Sequence, residues 1–261
     1  MGGERSGVFL QNVKLVVAYD GTNYHGFAEQ RGAGLPTVQE VLEKCLSRLA
    51  GKKITVVGAA RTDAGVHAEG QVVSFFLPRE WAIPVQRIPL ALNGLLPEDV
   101  AALRAQKVPF DFHARFSARA KTYRYTVHNS RVPSPFLKRY SHFEPRALNV
   151  ADMSAAACYL VGRHDFASFR AAGSSAKTTV RTLFSAAVEK KGELVYFTFR
   201  GDGFLYNMVR IMVGTLLEVG LGKRRPEEVA AVLAAKDRTA AGPTVPARGL
   251  CLLSVEYPPD G

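Results

Sequence analysis

The feature of this sequence that most constrains its fold is a strand–helix–strand–strand–helix–strand order that occurs twice. In the first half, apolar patterning predicts strands at 13–19, 54–59, 71–77 and 100–108, with helical segments at 37–51 and 84–95. In the second half it predicts strands at 121–128, 183–190, 194–200 and 250–257, with helices at 150–161 and 204–219 and an additional short helix at 225–235. This order is that of the ferredoxin-like unit. The sequence therefore predicts an α+β fold with two ferredoxin-like (β-α-β-β-α-β) halves, their antiparallel sheets side by side and a cleft between them.

The predicted halves divide after residue 108. Residues 1–108 form the N-terminal half, and residues 109–261 form a C-terminal half with insertions at 129–145 and 171–179. The halves share no obvious residue identity, so the repeat is one of element order. The first helix has the clearest limits, because Thr37 and Glu40 have capping-box spacing and Gly51 is a typical stop.

The charge of the chain favours a polyanionic partner. Its 34 lysines and arginines outnumber 23 aspartates and glutamates, which gives a formal net charge of +11. Nucleic acid is the leading candidate, and a basic protein without such a partner is the alternative. No apolar run is long enough to span a membrane, and the lipidation pattern at 1–6 is short enough to arise by chance.

The cysteines indicate a cytoplasmic location. Cys45, Cys158 and Cys251 are odd in number and far apart, which is typical of free thiols in a reducing compartment. Helical spacing predicts that Cys45 and Cys158 are buried.

The loop at 58–71 contains a carboxylate suited to chemistry, Asp63. Arg61 lies two residues before it, so in extended backbone both side chains leave the same face. A nearby guanidinium keeps a carboxylate ionised and oriented, and Gly65 leaves space beside it. These features predict that Asp63 is a nucleophile or general base. An ordinary loop salt bridge is the alternative.

A second basic residue, Arg210, lies in a strongly apolar helical segment. A buried guanidinium needs an acidic partner, and the segment supplies none nearby, since Asp202 and Glu218 are each eight residues away. We expect the partner to be Asp63. The alternative is that Arg210 extends along the helix to reach solvent.

The segment 121–125 predicts a strand with tyrosines on one face. Tyr123 and Tyr125 share that face, and Arg124 points to the other. Four basic residues lie in or before this strand, namely Arg115, Arg119, Lys121 and Arg124. A tyrosine beside a basic surface suits stacking on a nucleobase, whereas a core position is an equally strong interpretation for Tyr125.

No metal site is predicted. The six histidines are dispersed, no zinc-type cysteine spacing occurs, and Asp63 with His67 lacks a third ligand. Phosphate-loop and serine-hydrolase motifs are also absent from the sequence.

Ordered motifs along the whole chain carry a resemblance to one enzyme family. The most specific of them surrounds Asp63, and the set comprises Tyr19-Asp20-Gly21-Thr22, Ala60-Arg61-Thr62-Asp63-Ala64-Gly65-Val66-His67-Ala68, Phe112-His113-Ala114-Arg115-Phe116-Ser117, Tyr123-Arg124-Tyr125, His164-Asp165-Phe166, Phe204-Leu205-Tyr206-Asn207-Met208-Val209-Arg210 and Gly242-Pro243-Thr244. From 13 to 258 the chain resembles the bacterial-type tRNA pseudouridine synthase A family. Ala60, Phe27, Ala28 and Val245 depart from the residues usual in that family and bear on substrate handling.

The resemblance implies a specific activity and site. It implies isomerisation of uridine to pseudouridine on the 3′ side of the tRNA anticodon stem-loop, at positions 38–40, after the base is flipped out. It implies that Asp63 is catalytic, that Tyr123 packs on the target base, and that Arg61 and Arg210 bind the substrate. It also implies a homodimer that binds tRNA and uses no cofactor and no metal.

Two other functions are compatible with the residues alone. A non-catalytic RNA-binding module would need the aromatic and basic residues but not Asp63 or Arg210. A metal-assisted hydrolase would use Asp63, His67 and a further acid.

Overall fold

The computed structural model describes residues 10–28, 34–78, 81–173 and 176–258. The lipidation pattern at 1–6 and part of the insertion at 171–179 lie outside these ranges. The strands of the first half are β1 (Leu10–Tyr19), β2 (Val57–Gly58), β3 (His67–Pro78) and β4 (Val100–Val108), and its helices are α1 (Val38–Ala50) and α2 (Ile88–Asn93). The strands of the second half are β5 (Ala120–His128), β6 (His142–Phe143), β7 (Gly162–Asp165), β8 (Val180–Lys191), β9 (Leu194–Gly201) and β10 (Leu250–Glu256), and its helices are α3 (Val150–Cys158), α4 (Met208–Gly220) and α5 (Glu228–Ala235).

Both halves have the same strand arrangement. The four strands of the repeated unit are β1, β2, β3 and β4 in the first half and β5, β8, β9 and β10 in the second. In each unit the first strand lies between the fourth and the third, as β4-β1-β3 and as β10-β5-β9, and the second strand pairs with the third. The predicted α+β fold with two ferredoxin-like halves is therefore confirmed. The division after residue 108 stays a prediction, because one hydrophobic core includes residues of both halves.

The two sheets are joined edge to edge. β3 and β10 pair in parallel through His67 with Cys251 and Ala68 with Leu252, so the described strands form one ten-stranded sheet. Asp63 lies four residues before His67, immediately ahead of β3. The join of the two halves therefore lies next to the loop that the sequence singles out.

The main core lies on one face of this sheet, under the helices, and a small second cluster is formed by Ala59, Val72 and Ala114. Val13, Leu15 and Val17 alternate along β1 and are completely buried, as period-two patterning requires. Helix α4 is buried on nearly every side, which agrees with its apolar sequence. None of the helices in the described part of the chain is long and apolar enough to cross a membrane.

The connection between the halves lies on the opposite face. The Asn12 side-chain amide donates to the carbonyl oxygens of Pro109 at 3.1 Å and Phe112 at 2.7 Å. At the other end of the chain, the Tyr257 hydroxyl donates to the Ala114 carbonyl at 2.7 Å. The connection is thus attached to both halves, which fixes their relative position.

Several predicted boundaries shift. β2 is shorter than the predicted strand at 54–59, and β3 begins at His67, so it takes in the end of the predicted loop. Helix α4 begins at Met208 instead of 204, because Asn207 has a φ of 59°, a left-handed conformation that ends the preceding turn.

One cysteine prediction is wrong. Cys45 is buried as expected, but Cys158 is exposed, and all three cysteines are free. The buried face of α3 is defined by Met153, Ala156 and Ala157. One further residue turns the helix by about 100°, which carries Cys158 off that face.

Candidate active site

The backbone around Asp63 is fixed from both sides. The amide of Phe27 donates to the Thr62 carbonyl at 3.0 Å, and the Thr62 hydroxyl lies 2.7 Å from the Tyr19 hydroxyl in β1. The Val66 amide closes a turn onto the Asp63 carbonyl at 3.1 Å. Gly65 has a φ of 75° in this turn, a conformation that other residues rarely adopt. Asp63 is therefore presented from a rigid turn.

Arg210 contacts Asp63, as predicted. Its Nη1 lies 3.3 Å from Asp63 Oδ2, and the side chains are 17% and 25% exposed respectively. The same Nη1 donates to Asn207 Oδ1 at 2.7 Å, and Nε donates to the Val245 carbonyl at 2.7 Å. The alternative, in which Arg210 extends to solvent, is wrong, because three acceptors hold the guanidinium inside.

Two opposing effects set the ionisation of Asp63. Burial raises the pKa of its carboxyl above the ordinary value, and the charge and hydrogen bond of Arg210 lower it. The net direction is upward, so desolvation exceeds the effect of the guanidinium. The sequence indicated only the stabilising arginine and missed the desolvation.

Arg61 does not join this contact. It is exposed, and within the described ranges it forms no ion pair or hydrogen bond. Thr62 is buried between the two residues, so the backbone turns Asp63 inward and Arg61 outward. The expected pairing of Arg61 with Asp63 is therefore wrong.

Tyr123 lies beside the carboxylate on β5. It is 7% exposed, and its ring meets Phe204 edge-on at 5.0 Å between centroids. Burial raises the pKa of the Tyr123 hydroxyl, and the nearby charge of Asp63 contributes to that rise. Tyr125 instead is completely buried and donates to the Pro246 carbonyl at 2.8 Å, so the core interpretation holds for it.

A second cluster, missed by sequence reasoning, attaches the insertion at 129–145 to the loop after Asp63. Asp20 Oδ2 accepts from the Tyr140 hydroxyl at 2.8 Å, and Asp20 Oδ1 lies 3.1 Å from His67 Nδ1. His67 Nε2 donates to the carbonyl of Arg139 at 2.9 Å. The motifs around Asp20 and His67 were visible in the sequence, but nothing in it linked them to Tyr140.

The geometry separates Asp63 from His67. His67 engages Asp20 and backbone carbonyls, whereas Asp63 engages Arg210. No group of three histidine, cysteine or acidic side chains able to hold a metal ion occurs among the residues that the structure describes.

The site thus consists of an oriented carboxylate, a guanidinium and a tyrosine ring, supplied by both halves. Residues 15–117 and 156–258 match a protein-family model described as tRNA pseudouridine synthase. The chain belongs to the tRNA pseudouridine synthase family. The first matched segment covers most of the first half and continues into the connection, and the second segment lies in the second half. Members of this family are isomerases, and so is this synthase.

Named relatives agree over nearly the full length. A tRNA pseudouridine synthase A of Moorella thermoacetica is 54% identical over 245 residues, covering 94% of this chain and 99% of the relative. The protein of the same name from Acetivibrio thermocellus is 47% identical over 248 residues, covering 95% and 100%. Among solved structures, an archaeal box H/ACA sRNP Nop10-Cbf5 complex is similar at 11% identity and a TM-score of 0.34, over 94% of this chain and 48% of that chain.

Proposed function

We propose that this synthase converts uridine to pseudouridine on the 3′ side of the tRNA anticodon stem-loop, with Asp63 as its catalytic residue. The observation that supports this most is the contact between Asp63 and Arg210 beside Tyr123. A partly buried carboxylate, held by a fixed guanidinium next to an aromatic ring, suits chemistry on a flipped base.

The reaction needs little from the protein except positioning and charge. The bond between N1 of uracil and C1′ of the ribose breaks, the base rotates, and a bond forms between C5 and C1′. The proton on C5 leaves and N1 gains a proton, so atoms and charge balance. Asp63 either attacks or stabilises positive charge on the sugar as the first bond breaks.

Each of the other site residues has a proposed role. Tyr123 packs against the extruded uracil, which replaces part of the stacking lost on flipping. Arg210 orients Asp63 through the same guanidinium that Asn207 and Val245 hold. Arg61, which is exposed, contacts the RNA backbone and not Asp63.

The wider context follows from the family resemblance and the charge. The net charge of +11 suits tRNA phosphates. We propose a cytoplasmic homodimer that uses no cofactor and no metal, and light scattering after size exclusion would measure its mass.

The test is release of tritium from tRNA labelled at uridine C5, because pseudouridine formation must expel that hydrogen. Wild type should release it, and Asp63→Asn should bind tRNA but release none. Lys190→Met, a change at an exposed site in β8, is the matched control and should behave as wild type. Turnover by Asp63→Asn would remove Asp63 from the mechanism.

The two alternatives give different results in the same assay. A non-catalytic RNA-binding module would bind tRNA without releasing tritium in any variant. A metal-assisted hydrolase would cleave its substrate, keep the label on C5 and lose activity to chelators. It would also need Asp63 and His67 to coordinate the same metal ion, whereas in this structure His67 contacts Asp20 and Asp63 contacts Arg210.

A further inference from the structure

Lys121 reaches from the second half to the chain segment that leads into the Asp63 loop. Its Nζ donates to the Ala59 carbonyl at 2.7 Å, four residues before Asp63. Lys121 lies two residues before Tyr123 on β5, so these two side chains leave the same face of the sheet. Its neighbour on β9 is Gly201. The Cα atoms of Lys121 and of Tyr123, the proposed base-stacking residue, are about 7 Å apart along the strand.

Two further cations lie near this ammonium. Arg115 follows Ala114, which packs in one small cluster with Ala59, the residue whose carbonyl accepts from Lys121. Arg115 and Arg181 of β8 both act on Lys121 electrostatically. A Cβ at Gly203 would lie 3.4 Å from Arg181 Nε, so this side chain lies against the backbone one residue before Phe204, the residue whose ring meets Tyr123. We refer to Lys121, Arg115 and Arg181 as the basic cluster.

The basic cluster has no counter-charge of its own. Within the described ranges none of its members forms an ion pair with a carboxylate. On the neighbouring strands, Glu256 is paired with Arg200 at 2.6 Å. Asp202 accepts from the Thr182 amide at 3.0 Å and forms no ion pair with the cluster. Burial and the two arginines lower the pKa of Lys121 to about 8.

An uncompensated, partly buried cation is costly to a fold, and a bound anion offsets that cost. We propose that the basic cluster binds one backbone phosphate of the RNA next to the uridine at Tyr123. This rests on the proposed function. A nucleic-acid phosphate fits better than a free anion, because Phe116, adjacent to Arg115, exposes 76% of its surface and offers a ring for a neighbouring base.

A purely structural role for Lys121 makes a different prediction. If Lys121 only holds the Ala59 carbonyl, its loss weakens the loop and lowers turnover without changing how binding depends on salt. A phosphate contact instead releases counterions. Each lost contact then lowers the slope of log Kd against log salt by about 0.7 to 0.9.

The experiment measures Kd for unmodified tRNA at several salt concentrations. Lys121→Met and Arg115→Gln should each lower the slope of log Kd against log salt by roughly the amount expected for one phosphate contact. Lys121→Arg should keep the slope, and Lys190→Met, at the far end of the β8–β9 hairpin, should match wild type. Arg115 is exposed, so Arg115→Gln should fold and still test the salt dependence of tRNA binding even if Lys121→Met fails to fold.

The outcomes separate this inference from the proposed function. Unchanged slopes in both variants, with tritium release intact in wild type, would overturn the phosphate site and leave the function standing. The absence of tritium release by wild type would overturn the function itself. Stabilisation of wild type by inorganic phosphate, with unchanged tRNA slopes in the variants, would show a free-anion site and also overturn the proposal.

Discussion

Arg210 Nη1 lies 3.3 Å from Asp63 Oδ2, although 147 residues separate the two along the chain. Asp63 belongs to the first half and Arg210 to the first turn of α4 in the second. The carboxylate therefore has its partner only when the two halves are joined, which makes the β3–β10 pairing a requirement of the site.

Replacing Arg210 should disturb both the orientation and the ionisation of Asp63. Arg210→Met should lower turnover on the order of 10²-fold through mispositioning. It should also move the acidic limb of the kcat/KM profile to higher pH, because the guanidinium lowers the pKa of Asp63. Arg210→Lys keeps the charge and should shift the limb less. An unmoved limb in Arg210→Met would show that Arg210 does not act on this carboxylate.

Asn207 combines a left-handed backbone with the hydrogen bond to Arg210. Asn207→Ala should be less stable than Asn207→Gly by roughly 1 kcal/mol, since a Cβ disfavours that backbone. Both variants lose the hydrogen bond and should show a similar fall in turnover. Urea unfolding and tritium release measure the two effects separately. Equal stabilities would mean that the backbone relaxes at this residue.

The hydroxyl of Tyr140 holds the insertion at 129–145 on Asp20. Tyr140 is about half exposed, so Tyr140→Phe should lower the free energy of unfolding by less than about 1.5 kcal/mol. It should speed amide hydrogen exchange near 139–143 and raise KM for tRNA while kcat changes little. The matched control is Tyr159→Phe, at an exposed tyrosine after α3. Unchanged exchange in Tyr140→Phe would show that other contacts hold the insertion.

Lys121 should make tRNA binding depend on pH. Its pKa is lowered to about 8, so the free enzyme loses this charge as pH rises through that value, and affinity should fall. Lys121→Arg stays protonated and should show a smaller decline between pH 7 and pH 9. Titrations of Kd at constant salt test this, with Lys190→Met as control. Parallel profiles for wild type and Lys121→Arg would contradict it.

The same shift has a consequence for folding. A lysine whose pKa is lower in the folded state binds fewer protons there, so its contribution to stability increases with pH. The difference in the free energy of unfolding between wild type and Lys121→Met should therefore increase as the pH is raised beyond 8. It should level off near the ordinary pKa of a lysine side chain.

Much of the fold was determined by local sequence signals. The alternation along β1, the capping box at Thr37 and the apolar run of α4 each depend on neighbours within a few residues, so they could be recognised without tertiary information. Asp63 and Arg210 could also be paired from the sequence, because a guanidinium in an apolar helix requires an acid from elsewhere.

Only the tertiary structure decided which charges meet. It turned Arg61 outward, left Lys121, Arg115 and Arg181 without an ion-paired carboxylate among the described residues, and attached Tyr140 to Asp20. It also placed Cys158 on an exposed face. These outcomes depend on how the halves, the connection and the insertion pack, and on how much water each charge keeps. Such contacts join residues far apart in the chain, and their energies depend on burial, which no local pattern specifies.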